Sequence, residues 1–336
     1  MGLPRSHRPA LTGAGRVRAG VTVLLAIALA GCTESPTSRN AKSAAMPAPT
    51  PLPVAAHRLT TNTTTATTTT TTTTVPAQPG WTPVITLATG VAVDERAITT
   101  PGGASLALIR FRAGRVVFAL HAGSQDPPTS GVALGVDSQP QIAAPERAVL
   151  LGAFNGGFKV SGHAGGVEIA GHVLTPLVVG MASLVIDTNG AAHVGVWGAT
   201  VPGPHEAVAS VRQNLPPLIS GAQPSPAIAT TSAWGDPLHE VALTARSALG
   251  QDAAGDLIYA ASMHALPIDM ATALVRAGAT VAMELDINPE WVQADVAESP
   301  GGALTAMVPG QDQPAGRYLL GWTRDFVTVD VAQPIP

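Results

Sequence analysis

Two carboxylates stand one residue apart at the end of an apolar run: Glu284 and Asp286, in the segment Ala282-Met283-Glu284-Leu285-Asp286-Ile287-Asn288-Pro289-Glu290-Trp291. Side chains alternate along a strand, so both project to one face with α-carbons roughly 6.5 Å apart. Neighbouring carboxylates raise one another's pKa, which separates an acid from a base. Cleavage of a glycosidic C–O bond commonly uses such a pair, with about 5 to 10 Å between the carboxyl groups. A structural alternative stands beside this one: Glu284 bridges to Arg246, and Asp286 caps the turn at Asn288-Pro289. Other residues suit the same chemistry. Asn155 with Gly156-Gly157 offers an amide and bare backbone N–H groups to an anionic oxygen, or else is a plain turn. Arg246 suits a bidentate grip on phosphate, although an arginine in a strand is usually solvated. Lys159, the single lysine after residue 80, is either a point charge for phosphate or a solvent-facing side chain. Arg212-Gln213-Asn214 forms a polar cluster suited to lining the same cleft. Trp234 and Trp291 are candidates to stack on a sugar ring or to pack at its rim.

These side chains need a scaffold, and the sequence punctuates one. Short β-branched or apolar runs bounded by Gly, Asn or Asp read as strands over 104–114, 115–123, 147–157, 182–198, 239–250 and 256–263. Asn189-Gly190 supplies the positive φ angles of a tight hairpin turn inside 182–198. Residues 245–262 read as a second hairpin with a longer loop. One helix is expected from Pro267, with Asp269 at its positive end and Ile268, Ala271, Leu274 and Val275 on one face. Gly278 stops it in a left-handed conformation, and a strand then delivers Glu284 and Asp286. Another helix is expected around Val208 to Leu215. The fold class is α/β or α+β, a single domain on a large mixed β-sheet with few helices.

That domain occupies 80–336. Before it, residues 1–31 carry four arginines and no acid, then a short apolar stretch ending Leu29-Ala30-Gly31-Cys32. The stretch is too short to span a bilayer comfortably, where about 20 apolar residues are needed, and the pattern is that of a secretory signal peptide. Its end resembles a bacterial lipobox, which implies cleavage before Cys32, lipid on its sulfur and anchoring to the outer face of the cell membrane. Cys32 is the only cysteine, so no disulfide forms within the chain. Residues 32–79, rich in Thr, Pro and Ala, lack the large apolar side chains that offset chain entropy and read as a disordered tether. Loss of the four signal arginines takes the formal net charge from −4 to −8, which removes nucleic acid as a partner class.

No GxxxxGK[ST], HExxH, GxSxG or paired-cysteine pattern occurs. No motif requires a cofactor, and a divalent cation stays open. His163 and His172 are placed to meet across a hairpin, although loop histidines of this kind are more often surface residues.

Three segments in order resemble the phosphodiester glycosidase family: Asn155-Gly156-Gly157-Phe158, Arg246-Ser247-Ala248-Leu249-Gly250, and the helix–Gly–strand unit ending Leu285-Asp286. The family removes N-acetylglucosamine from a sugar–phosphate diester. The resemblance implies a hydrolase acting on a glycosyl phosphodiester of a surface glycan, with Asp286 and Glu284 as catalytic residues. Asn155, Gly156, Gly157, Arg246 and Lys159 then bind substrate. Where the family continues with glycines and a serine, this chain reads Ile287-Asn288-Pro289-Glu290-Trp291, so Asn288 and Trp291 become new contacts. The same departure favours a rival expectation, a carbohydrate- or wall-binding lipoprotein that uses the cleft without turnover.

Overall fold

The computed structural model describes residues 80–126, 141–162, 164–229, 231–235, 242–321 and 323–332. The signal segment, Cys32, the tether and His163 lie outside the described residues.

Three sheets make up the described part. The largest contains, in spatial order, β1 (Thr82–Leu87), β2 (Gly90–Thr99), β3 (Ser105–Phe111), β14 (Leu257–Ala265), β13 (Thr244–Asp252), β15 (Ala279–Glu284), β11 (Ile219–Ser220) and β12 (Gln223–Pro224). A second contains β7 (His172–Thr175), β6 (Val167–Ile169), β10 (Val208–Gln213), β8 (Ala182–Asp187) and β9 (Ala192–Val196). The third contains β17 (Leu304–Ala306), β16 (Ala294–Ala297), β5 (Leu150–Asn155), β18 (Phe326–Val331) and β4 (Val116–His121). Every described pairing between these strands is antiparallel. The expected large mixed sheet is therefore corrected to three antiparallel ones, an α+β arrangement with α1 (Pro267–Ala277) as the α-helix of the described residues.

Alternation explains the layers. In β14, Leu257, Tyr259 and Ala261 turn into the core shared by all three sheets, where they join Phe111, Phe154, Leu184 and Val327. Ile258 and Ala260 turn the other way, into the core under α1 with Met270 and Leu274. Each buried Leu or Phe side chain contributes about 1.5–3 kcal/mol by leaving water. The helix stops at Gly278, φ 102°, as expected. Its buried face, however, is Met270, Ala271, Ala273, Leu274 and Ala277, while Ile268 is exposed.

The helix expected around Val208 to Leu215 is also corrected. Val208–Gln213 is strand β10, hydrogen-bonded to β8 on one side and β6 on the other. Ladder pairing on both edges outweighs a helical reading of so short a stretch. The hairpin at Asn189-Gly190 is present, with Gly190 at φ 81°, and β13 and β14 form the second expected hairpin.

Candidate active site

The three family-like segments meet where strands of all three sheets end. β5 ends at Asn155, β10 leads into Asn214, β15 leads into Leu285-Asp286, and β13 passes alongside through Arg246-Ser247. The Asn155 amide donates to the Ser247 hydroxyl at 2.8 Å, and its oxygen accepts from the Tyr259 hydroxyl at 2.8 Å and the Gln293 N–H at 3.2 Å. The Ser247 hydroxyl donates to the Asp286 carbonyl at 2.7 Å, and the Asp286 N–H donates to the Gly156 carbonyl at 2.9 Å. From the second sheet, Asn214 donates to the Glu284 carbonyl at 2.8 Å and accepts from the Phe158 N–H at 3.2 Å. These contacts satisfy the backbone groups left over where strands stop.

Asp286 lies just beyond β15, 3% exposed. One carboxylate oxygen accepts from the N–H groups of Ile287 (2.8 Å) and Asn288 (3.1 Å), which turns the chain sharply. Asn288 continues that turn: its side-chain oxygen accepts from the Glu290 N–H at 3.0 Å. The second Asp286 oxygen accepts from Arg324. Burial pushes the Asp286 carboxyl up from its ordinary value, while Arg324 and the turn N–H groups pull it down. Asp286 thus caps its turn and also pairs with a cation.

Glu284 and Arg246 face the α1 side of the sheet, and both are fully buried. Arg246 donates to a Glu284 oxygen at 2.5 Å, to the Trp234 carbonyl at 2.8 Å, to Ala265 at 3.0 Å and to Ala242 at 2.6 Å. Its donors are held by the protein itself. The other Glu284 oxygen is buried and has no hydrogen-bond partner among the described residues. Burial raises the Glu284 carboxyl to about 7, against the pull of Arg246.

The glycine turn meets an anion that the chain supplies. The Gly156 N–H donates to the Asp325 carbonyl at 2.8 Å, and the Gly157 N–H donates to the Asp325 carboxylate at 3.1 Å. Arg212 donates to the same carboxylate at 2.7 Å. A Cβ on Gly157 would lie 2.8 Å from the Arg212 guanidinium carbon, so only glycine leaves room for this stack. Lys159 is exposed just past the turn, Asn288 and Trp291 are half-buried, and Trp234 is a core residue donating to the Ala227 carbonyl at 3.0 Å.

Sequence reasoning missed Arg324, Asp325 and Asp126. Arg324, 5% exposed, donates to the Gly157 carbonyl at 3.1 Å and lies 3.7 Å from the Asp126 carboxylate. Its Nε is buried and has no hydrogen-bond partner among the described residues. The available signal was an Arg-Asp pair directly before the alternating run of β18. No group of three His, Cys, Asp or Glu that could hold a metal occurs among the described residues, where His172 is exposed.

No protein-family model matches the chain, nor does any curated protein. Solved structures similar to it include the catalytic domain of zebrafish N-acetylglucosamine-1-phosphodiester alpha-N-acetylglucosaminidase, auto-inhibited by its pro-peptide. That match has 16% identity and a TM-score of 0.47 over 76% of this chain and 87% of the other. A hypothetical protein from Synechocystis has 12% identity and a TM-score of 0.43, over 76% of this chain and 64% of its own. An exported protein from Burkholderia pseudomallei has 11% identity and a TM-score of 0.36, over 71% and 75%. Likeness at this level says nothing about the reaction. No helix among the described residues is long and apolar enough to cross a membrane.

Proposed function

We propose that the chain is an exported hydrolase of the phosphodiester glycosidase type, tethered to the membrane through lipid at Cys32 and acting on a glycosyl phosphodiester of a surface glycan. One observation carries this reading. Asp286, Gly156 and Ser247, one from each family-like segment, are in direct hydrogen-bond contact although they are far apart in sequence.

The chemistry follows from the leaving group. A phosphate ester departs as an anion whose second pKa is about 6, so it needs a cation more than it needs a proton donor. Arg324, beside Asp286 and with an N–H that has no partner among the described residues, suits that role better than Arg246, whose donors are occupied. Water attacks the anomeric carbon, the C–O bond to phosphate breaks, and Asp286 takes the proton from water. Lys159 supplies a second positive charge nearby, and Asn288 and Trp291 border the sugar. Glu284 and Arg246 hold β15 and β13 in place behind Asp286.

Saturation favours one rival. Both Asp286 oxygens and the glycine N–H groups already have protein partners, which suits a glycan-binding protein without turnover. The two are separated by offering the purified chain a panel of chromogenic sugar-1-phosphodiesters beside simple aryl glycosides of the same sugars. The hydrolase reading expects the diesters alone to be cleaved, with about a hundredfold loss in Arg324→Gln. Binding of the diesters with no turnover, by protein that remains folded, would replace it with the rival.

A further inference from the structure

A cavity of about 850 Å³ lies away from the carboxylate cluster, between the β1–β2, β3–β4 and β8–β9 turns and the end of β18. Phe111, Phe118 and Leu257 line it, and all three belong to the core shared by the three sheets. Phe111 and Phe118 meet edge to face, ring centroids 6.0 Å apart. The volume falls within the roughly 300–1,000 Å³ of small-molecule sites, which are mostly apolar with a few orienting polar groups.

Arg115 is the orienting group. The residue is half-buried and lines the cavity, and its guanidinium lies over Gly90, where a Cβ would be 3.1 Å from its nitrogens. The backbone of Arg115 is tied down, its carbonyl accepting from the Ala332 N–H at 3.0 Å. The guanidinium itself forms no hydrogen bond or ion pair with a described residue. The other titratable side chain lining the cavity, His193, is 3.7 Å from Glu206. A cation held half out of water, without a counterion among the described residues, at the edge of an apolar chamber is completed by a ligand that carries its own anion.

We infer that this cavity binds a long-chain carboxylate, its hydrocarbon chain against Phe111, Phe118 and Leu257 and its head on Arg115. The inference is independent of the hydrolase reading, since none of these residues touches Asp286.

The test uses the full chain and the fluorescent polyene fatty acid cis-parinaric acid, displaced in turn by oleate and by oleyl alcohol. Saturable binding at one site per chain is expected, with oleate displacing about tenfold better than the alcohol. Ala254, exposed at the rim of the cavity, gives the blocking variant: Ala254→Trp should abolish binding with the circular dichroism spectrum unchanged. Arg115→Gln should weaken oleate about tenfold and leave the alcohol unaffected, a pattern that a folding defect would not produce. The inference is overturned by absence of saturable binding, by binding that survives Ala254→Trp, or by equal affinities for acid and alcohol. Binding seen only after removal of residues 333–336 would overturn it too, by assigning the cavity to the chain's own end.

Discussion

Substituting Glu284 by Gln should remove a defined part of the pH dependence of folding. Glu284 is fully buried, with one oxygen on Arg246 and the other without a partner among the described residues. Burial holds its carboxyl at about 7 in the folded protein, against an ordinary 4.5. Between those values the folded chain keeps a proton that the unfolded chain releases, so stability falls as pH rises through this window. Below 4.5 both states are protonated and the protein is spared the cost; above about 7 the full cost is present. At about 1.4 kcal/mol per pH unit, the loss comes to about 3 kcal/mol. Glutamine keeps an oxygen for Arg246 and does not titrate. Guanidinium unfolding of the wild type and Glu284→Gln, followed by tryptophan fluorescence from pH 4 to 8.5, therefore yields a difference curve. The wild type should lose about 3 kcal/mol relative to the variant between pH 4.5 and 7.5, then run parallel to it. Parallel curves throughout would instead show that Arg246 keeps Glu284 ionised across the whole range.

Three other outcomes follow from the same packing. Arg246→Met strands the buried Glu284 and leaves three carbonyls without their donor, so it should cost about 3–5 kcal/mol in chemical denaturation, and adding Glu284→Leu should restore most of that. Gly156→Ala places a methyl group against the Asp325 carboxylate; it should lower the thermal midpoint by several degrees and disturb the Asp325–Arg212 pair, seen as lost protection of the Gly157 amide in hydrogen exchange. Asp330 is raised to about 7, mainly by burial and then by Glu146. Its ionised form therefore destabilises the fold above that pH, and Asp330→Asn should stabilise at pH 8 and be neutral near pH 4. Because the group is partly exposed, solvent screening limits the gain to about 1 kcal/mol.

The sequence made local units legible where punctuation and periodicity agree. Pro267 and Gly278 bracket α1, and Asn189-Gly190 turns the β8–β9 hairpin. Val208–Gln213 was misread because six residues are too few to separate a helical period from a strand period; its two ladder partners decide it. The sheet count is hidden for a related reason, since strands far apart in the chain, such as β15 and β11 in register at Ala282 and Ile219, 63 residues away, leave no pairing signal in composition. At the site, the pairing of Glu284 with Arg246 was foreseen as one of two alternatives, and it is what the structure shows. Asp286 caps its turn, as the structural one of its two alternatives has it, and also pairs with Arg324, which neither alternative named. Arg324 was invisible because its contact with Asp286 spans 38 residues and arises only when β18 pairs with β5, with Phe326 opposite Asn155.

In the proposed reaction Asp286 acts as the base. The most direct measurement is the rate of hydrolysis of a chromogenic sugar-1-phosphodiester by the wild type and Asp286→Asn, with unfolding midpoints recorded on the same samples. Turnover by the wild type is expected, with a loss of about 10²–10⁴-fold in the variant, whose midpoint falls because the buried pair with Arg324 is broken but stays above the assay temperature. Equal turnover by both proteins, or none by the folded wild type, would contradict that role for Asp286.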